Sequence, residues 1–100
     1  MKYYRNVCFL SQQVVEKLLK AYLLHRTNRY PFIHDTTELI NICKKLEADF
    51  ELLFKIKADM LDKYYTGTRY PPLVKVSEEE AEKAIEIAEE VRRFVLERIK

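Results

Sequence analysis

Apolar and polar positions alternate with the period of an α-helix in four stretches of the chain. In the first, from about Tyr3 to Arg26, Val7, Ser11, Val14, Leu18 and Tyr22 form one row and Cys8, Val15, Leu19 and Leu23 its neighbour. Lys17 and Lys20 lie toward the other side. The segment from Thr27 to His34 breaks the period, and Pro31 within it is incompatible with a helix interior. Asp35 is then a good N-cap, with Glu38 three residues on in a capping-box arrangement. Leu39, Ile42, Cys43 and Leu46 continue it as a short amphipathic second helix. A third helix is predicted from near Asp49, carrying Phe50, Leu53, Phe54, Met60, Leu61, Tyr64 and Tyr65, with Gly67 as its stop. Pro71 and Pro72 exclude helix at the centre of the next run. Ser77 and Glu80 form a capping box that opens the fourth helix, whose stripe is Ala81, Ala84, Ile85, Ala88, Val91, Val95 and Ile99. The pattern predicts an all-α, antiparallel up-down helical bundle of about four helices.

Length and composition narrow this reading. At 100 residues the chain is expected to be a single domain spanning 1–100, with 48% apolar and 34% charged residues. One Gly and three Pro argue against an all-β chain. No window approaches 18 uncharged apolar residues, and the start of the chain lacks a signal-peptide core, so a cytoplasmic location is expected. Cys8 and Cys43 are too few and too far apart for a zinc ribbon or a redox dithiol, and are expected to be small buried hydrophobes. Asn and Gln together number five against 11 Lys and 12 Glu, a balance that suggests a thermophilic source. Charge is uneven: residues 1–34 carry a net +5, residues 35–76 balance, and residues 77–100 carry −3. A basic end of this size could attract phosphate, although ordinary solvated helix faces account for it as well.

No general enzyme signature is present: no glycine-rich phosphate loop, no His-Glu-x-x-His and no nucleophile elbow. Neither a metal site nor a cofactor is indicated. His25 suits the negative end of the first helix. Arg29 and His34 have four residues between them, a spacing that chance alone supplies at about 0.4 matches in such a chain. The cluster from Asp62 to Pro71 packs Tyr64, Tyr65 and Tyr70 around Arg69, whose fork suits phosphate or carboxylate. On the first helix Gln13, Glu16, Lys17 and Lys20 form a polar ridge, with Glu16 and Lys20 spaced for an ion pair.

These residues resemble the HEPN domain family over nearly the whole chain. Phe9 to Ala21, with Gln12-Gln13 followed by Glu16-Lys17 and Lys20, resembles the family's first-helix signature. His34-Asp35 is similar to the His-Asp that opens its next helix, and Leu61-Asp62-Lys63-Tyr64-Tyr65 with Thr68-Arg69-Tyr70-Pro71 to its tyrosine-arginine run. Ser77, Ala81, Ala84, Ala88 and Phe94 resemble its last helix. The resemblance implies a helical bundle, usually dimeric, often encoded beside a minimal nucleotidyltransferase with which it forms toxin–antitoxin-like complexes. It also implies that some members are metal-independent ribonucleases using Arg and His four to six residues apart. Two departures stand out. The chain begins almost at the glutamine motif, so the preceding helix is expected to be short or missing. No His follows Arg69 within six residues, and Pro31 interrupts the Arg29–His34 pair.

The leading expectation is therefore a non-catalytic HEPN module that acts with a nucleotidyltransferase partner and binds nucleotide or RNA phosphate. Its candidate binding residues are Gln13, Glu16, Lys17, Lys20, His34, Asp35, Asp62, Tyr65, Arg69 and Tyr70. One alternative is a ribonuclease toxin with His34 as acid/base and Arg29 or Arg69 on the transition state. The other is a structural homodimer without a ligand. In an up-down bundle His34, Asp35, Arg69, Arg26 and Arg29 should meet at one end, where an anion would also see the amides opening the second helix.

Overall fold

A computed structural model describes residues 2–65 and 76–99, and among these the secondary structure is entirely helical. Helix α1 spans Lys2–Thr27 and ends on Asn28, which adopts a left-handed conformation (φ 65°) while its N–H donates to Leu24 O at 2.8 Å. Asparagine tolerates that conformation better than most residues, so the stop comes three residues before Pro31. Helix α2 spans Thr36–Leu46, with Asp35 accepting from the Glu38 N–H as its N-cap. Helix α4 spans Glu78–Ile99 and opens with the expected reciprocal box. Glu80 N–H donates to Ser77 Oγ at 3.0 Å, and Ser77 N–H donates to Glu80 Oε1 at 3.3 Å.

The predicted third helix is not continuous. A 3-10 turn over Ala48–Phe50 leads into a short helix α3, Glu51–Lys55, and a second 3-10 stretch covers Ala58–Tyr64. Between them Lys57 is left-handed at φ 67°, a break that costs of order 1–2 kcal/mol. The reason lies in the burial pattern. Ala58, Leu61 and Tyr64 are buried at every third residue, the period of a 3-10 helix, which keeps one face on the core. The expected stop at Gly67 lies outside the described residues, as do Arg69, Tyr70 and Pro71.

Alternation of direction holds from α2 onward, and the departure comes before it. Segment 28–35 doubles back along α1, so α2 starts near the middle of α1 and runs in the same sense. Gln12 meets Thr36, the Leu19 carbonyl meets Cys43, and Tyr22 meets Glu47. The run from 48 to 64 returns the other way, and α4 then runs beside α1 along its length, the most extensive helix pairing in the molecule. One core layer joins Cys8, Tyr64 and Glu80; the other packs Phe50 at a tilt against Tyr22 (centroids 4.5 Å apart) and edge-on to Phe94 (5.0 Å). Cys8 and Cys43 are buried, free thiols. Val14 and Ile85, both expected in the core, are exposed, while Ile87 is buried instead. No described helix is long and apolar enough to cross a membrane.

Candidate functional site

The return of segment 28–35 brings the two motifs of the α1–α2 region together around a buried carboxylate. Gln12 is fully buried; its Nε2 donates to the His34 carbonyl and to Thr36 Oγ1, both at 3.2 Å. Its Oε1 accepts from Gln13 Nε2 at 2.8 Å, and the same Gln13 group lies 3.4 Å from Glu16 Oε1. Glu16 Oε2 accepts from Lys20 Nζ at 2.9 Å and faces His34 Nδ1 at 2.8 Å. Burial pushes the Glu16 carboxyl up, but the hydrogen bonds and charges of Lys20 and His34 outweigh it and hold the group below its ordinary value. A carboxylate can only accept, so the proton of the Glu16–His34 bond sits on Nδ1.

His34 itself is 54% exposed although its partner is almost wholly enclosed. Its ring stacks on Tyr65, with centroids 5.1 Å apart and planes at 17°. Among the described residues Nε2 has no hydrogen-bond partner. The ring is thus fixed by one nitrogen and one face, with the other nitrogen available for chemistry. Lys20 also sits over the Tyr30 ring at 5.6 Å, which couples the cation to the returning segment.

Beside this cluster the N-terminus of α2 is already filled. Asp62 accepts from Thr36 N–H at 2.7 Å, from Thr37 N–H at 3.1 Å and from Thr37 Oγ1 at 3.1 Å. Asp35 is hydrogen-bonded to Asp62, which raises its carboxyl; burial adds to the effect. Burial alone would raise Asp62 too, but its contact with the Asp35 carboxyl and the Thr36 and Thr37 amides hold it below its usual range. The expected anion on these amides is therefore corrected, because a carboxylate of the protein occupies them.

The sequence-predicted residues divide accordingly. Gln13, Glu16, Lys20, His34 and Tyr65 meet in one cluster, with Asp35 and Asp62 at its edge. Lys17 is exposed and joins none of these contacts, and Arg29 is exposed on the returning segment with its carbonyl accepting from Thr27 Oγ1. Arg26 does not share this end. It donates to Tyr22 Oη at 2.6 Å and lies 3.5 Å from Glu47, beyond the C-terminus of α2. Arg69 and Tyr70 lie outside the described residues. The residue missed by sequence reasoning is Gln12. Its signal was its place one helical turn after Cys8 in the buried row, where an amide needs partners from elsewhere in the chain. No group of three or more His, Cys, Asp or Glu among the described residues is arranged to hold a metal ion.

An all-helical module whose first helix anchors the histidine preceding its second is the class that this fold and cluster define. The HEPN domain model matches residues 1–99, and the chain belongs to that family. No curated protein and no solved structure matches it.

Proposed function

We propose that the chain acts as one HEPN-type module beside a minimal nucleotidyltransferase partner, as a non-catalytic homodimeric subunit that binds nucleotide or RNA phosphate. The observation that carries this reading is the buried Glu16 carboxylate holding Lys20 and the half-exposed His34 together on one oxygen. Lys20 and, with both nitrogens protonated, His34 Nε2 would donate to a phosphate, while the accessible part of Tyr65 would contact a base. Arg69 and Tyr70 are proposed to add a guanidinium and a second ring. Homodimer formation is supported by Leu10, Val14 and Ile85, which line one exposed groove between α1 and α4.

Calorimetric titration of ATP and of a short RNA into wild type, His34→Ala and Arg69→Ala tests the binding. At least a tenfold weakening is expected in His34→Ala. Unchanged affinity in both variants overturns the reading. Co-expression and co-purification with a minimal nucleotidyltransferase test the partnership.

One observation favours a second reading, a metal-independent ribonuclease. A histidine fixed through Nδ1 by a carboxylate, with Nε2 available, is the arrangement of a general acid/base, and Arg29 lies five positions earlier. RNA cleavage in the presence of a chelator that disappears in His34→Ala would establish this reading over the first.

A further inference from the structure

On the far side of the returning segment lies a groove of about 410 Å³, floored by Leu23, Ile42, Leu46 and Pro31 and lined almost wholly by carbon. That volume falls within the roughly 300–1,000 Å³ of clefts that hold ligands. Its rim carries Arg29 and Lys45, whose charged groups pair with no carboxylate among the described residues; no acidic side chain lines the groove. Beside it Phe32 is 93% exposed and packs edge-on against Tyr30 at 6.3 Å. Two unpaired cations flank an apolar trough that opens next to a bare aromatic side chain. Such a surface matches one chemistry: apolar side chains entering the trough, with carboxylates meeting the rim.

We infer that this groove docks an acidic amphipathic segment of a protein partner. A helix or strand presenting leucine or phenylalanine between glutamates and aspartates would fill it. Nucleic acid suits it less. The lining offers almost no polar atoms to a base, and the Tyr30 ring is already approached by Lys20 and by the edge of Phe32. The inference uses none of the residues of the Glu16–His34 cluster, so the two readings fail independently.

The test is titration of ¹⁵N-labelled protein with a short synthetic peptide carrying leucines three and four positions apart among glutamates. Saturable shifts are expected at the amides of 27–30 and 42–46. Affinity should fall at least tenfold in Arg29→Glu and in Lys45→Glu, whereas Lys55→Glu, on an exposed position elsewhere, should bind as wild type does. The same peptide with lysines in place of glutamates should not bind. Absence of saturable shifts at millimolar peptide overturns the inference. So does wild-type affinity in both charge reversals, or a single-stranded RNA that binds at the same amides more tightly than the peptide does.

Discussion

The two ends of α2 are built from the same ingredients and put to different use. At its C-terminal end Glu47 accepts from Tyr22 Oη at 2.7 Å and faces Arg26 and Arg98, while Arg98 sits over Phe94 with its guanidinium carbon 3.6 Å from the ring centroid. Every charged or aromatic member of that network faces another, although buried Arg98 Nε meets Glu47 by charge alone, at 3.3 Å and without a hydrogen bond. At the N-terminal end Glu16 likewise gathers a cation and an aromatic pair, but His34 is left half exposed with one nitrogen unused. Buried polar networks rigidify a fold when complete and are available for ligands when one member still faces water. The difference separates a clamp from a candidate site without reference to any relative.

Several substitutions would break or sharpen that contrast. The largest effect is expected for Tyr22→Ala. It removes a fully buried ring from the Phe50–Phe94 cluster and should cost about 3–5 kcal/mol in urea unfolding. Glu16→Ala should cost less, about 1–3 kcal/mol, because it orphans Lys20 and Gln13 at a site closer to water. Its loss of nucleotide affinity should exceed its loss of stability, the reverse of Tyr22→Ala. Asp62→Ala removes the acceptor for two α2 amides, and about 1 kcal/mol is expected from that lost cap. Lys17→Ala should change stability by less than about 0.5 kcal/mol, as an exposed position without partners does.

The two ends also titrate on opposite limbs of a pH–stability curve. The Glu16 carboxyl is held below its unfolded value, so the folded state binds fewer protons than the unfolded chain between the two values. That contribution is complete above about pH 4.3 and is lost as pH falls through the folded pKa. The Tyr22 phenol is pushed up to about 12 by burial and by the neighbouring Glu47. Its contribution is complete below about pH 10 and is lost as pH rises through the folded value. Unfolding midpoints measured across pH should therefore show an acid limb that Glu16→Gln flattens and an alkaline limb that Tyr22→Phe flattens. An acid limb that is unaltered in Glu16→Gln would show that the clustered carboxylate is not stabilised by its partners.

Much of the fold was legible because local rules agreed. The cap at Asp35, the box of Ser77 and Glu80, the buried cysteines and the Glu16–Lys20 pair all follow from contacts within one turn or from a single apolar row. The direction of α2 was not legible, since a segment with one proline says where a helix stops and nothing about where the next begins in space. The burial of Gln12 and Glu16 depended on that missing direction. Glu16 reads in sequence as a member of a solvated ridge, and Gln12 only as half of a glutamine pair, whereas His34 and Thr36, some twenty residues away, lie over them. The break at Lys57 could have been read from the three-residue spacing of Ala58, Leu61 and Tyr64, which a continuous α-helix would have rotated off the core.

The doubling back of segment 28–35 also bears on the order in which the molecule assembles. Glu16 and His34 are 18 residues apart in sequence, whereas the facing residues of α1 and α4, such as Ser11 and Ala88, are separated by about 75. Loop-closure entropy grows by about 0.6 kcal/mol per doubling of length, so joining α1 to α2 is cheaper than joining α1 to α4 by roughly 1 kcal/mol. The α1–α2 junction that carries the cluster is thus the more local contact, expected to close before α4 packs along α1. During refolding, pulse-labelled amides of the α1–α2 junction should then gain protection before those of α4, and simultaneous protection of both would remove this order of assembly.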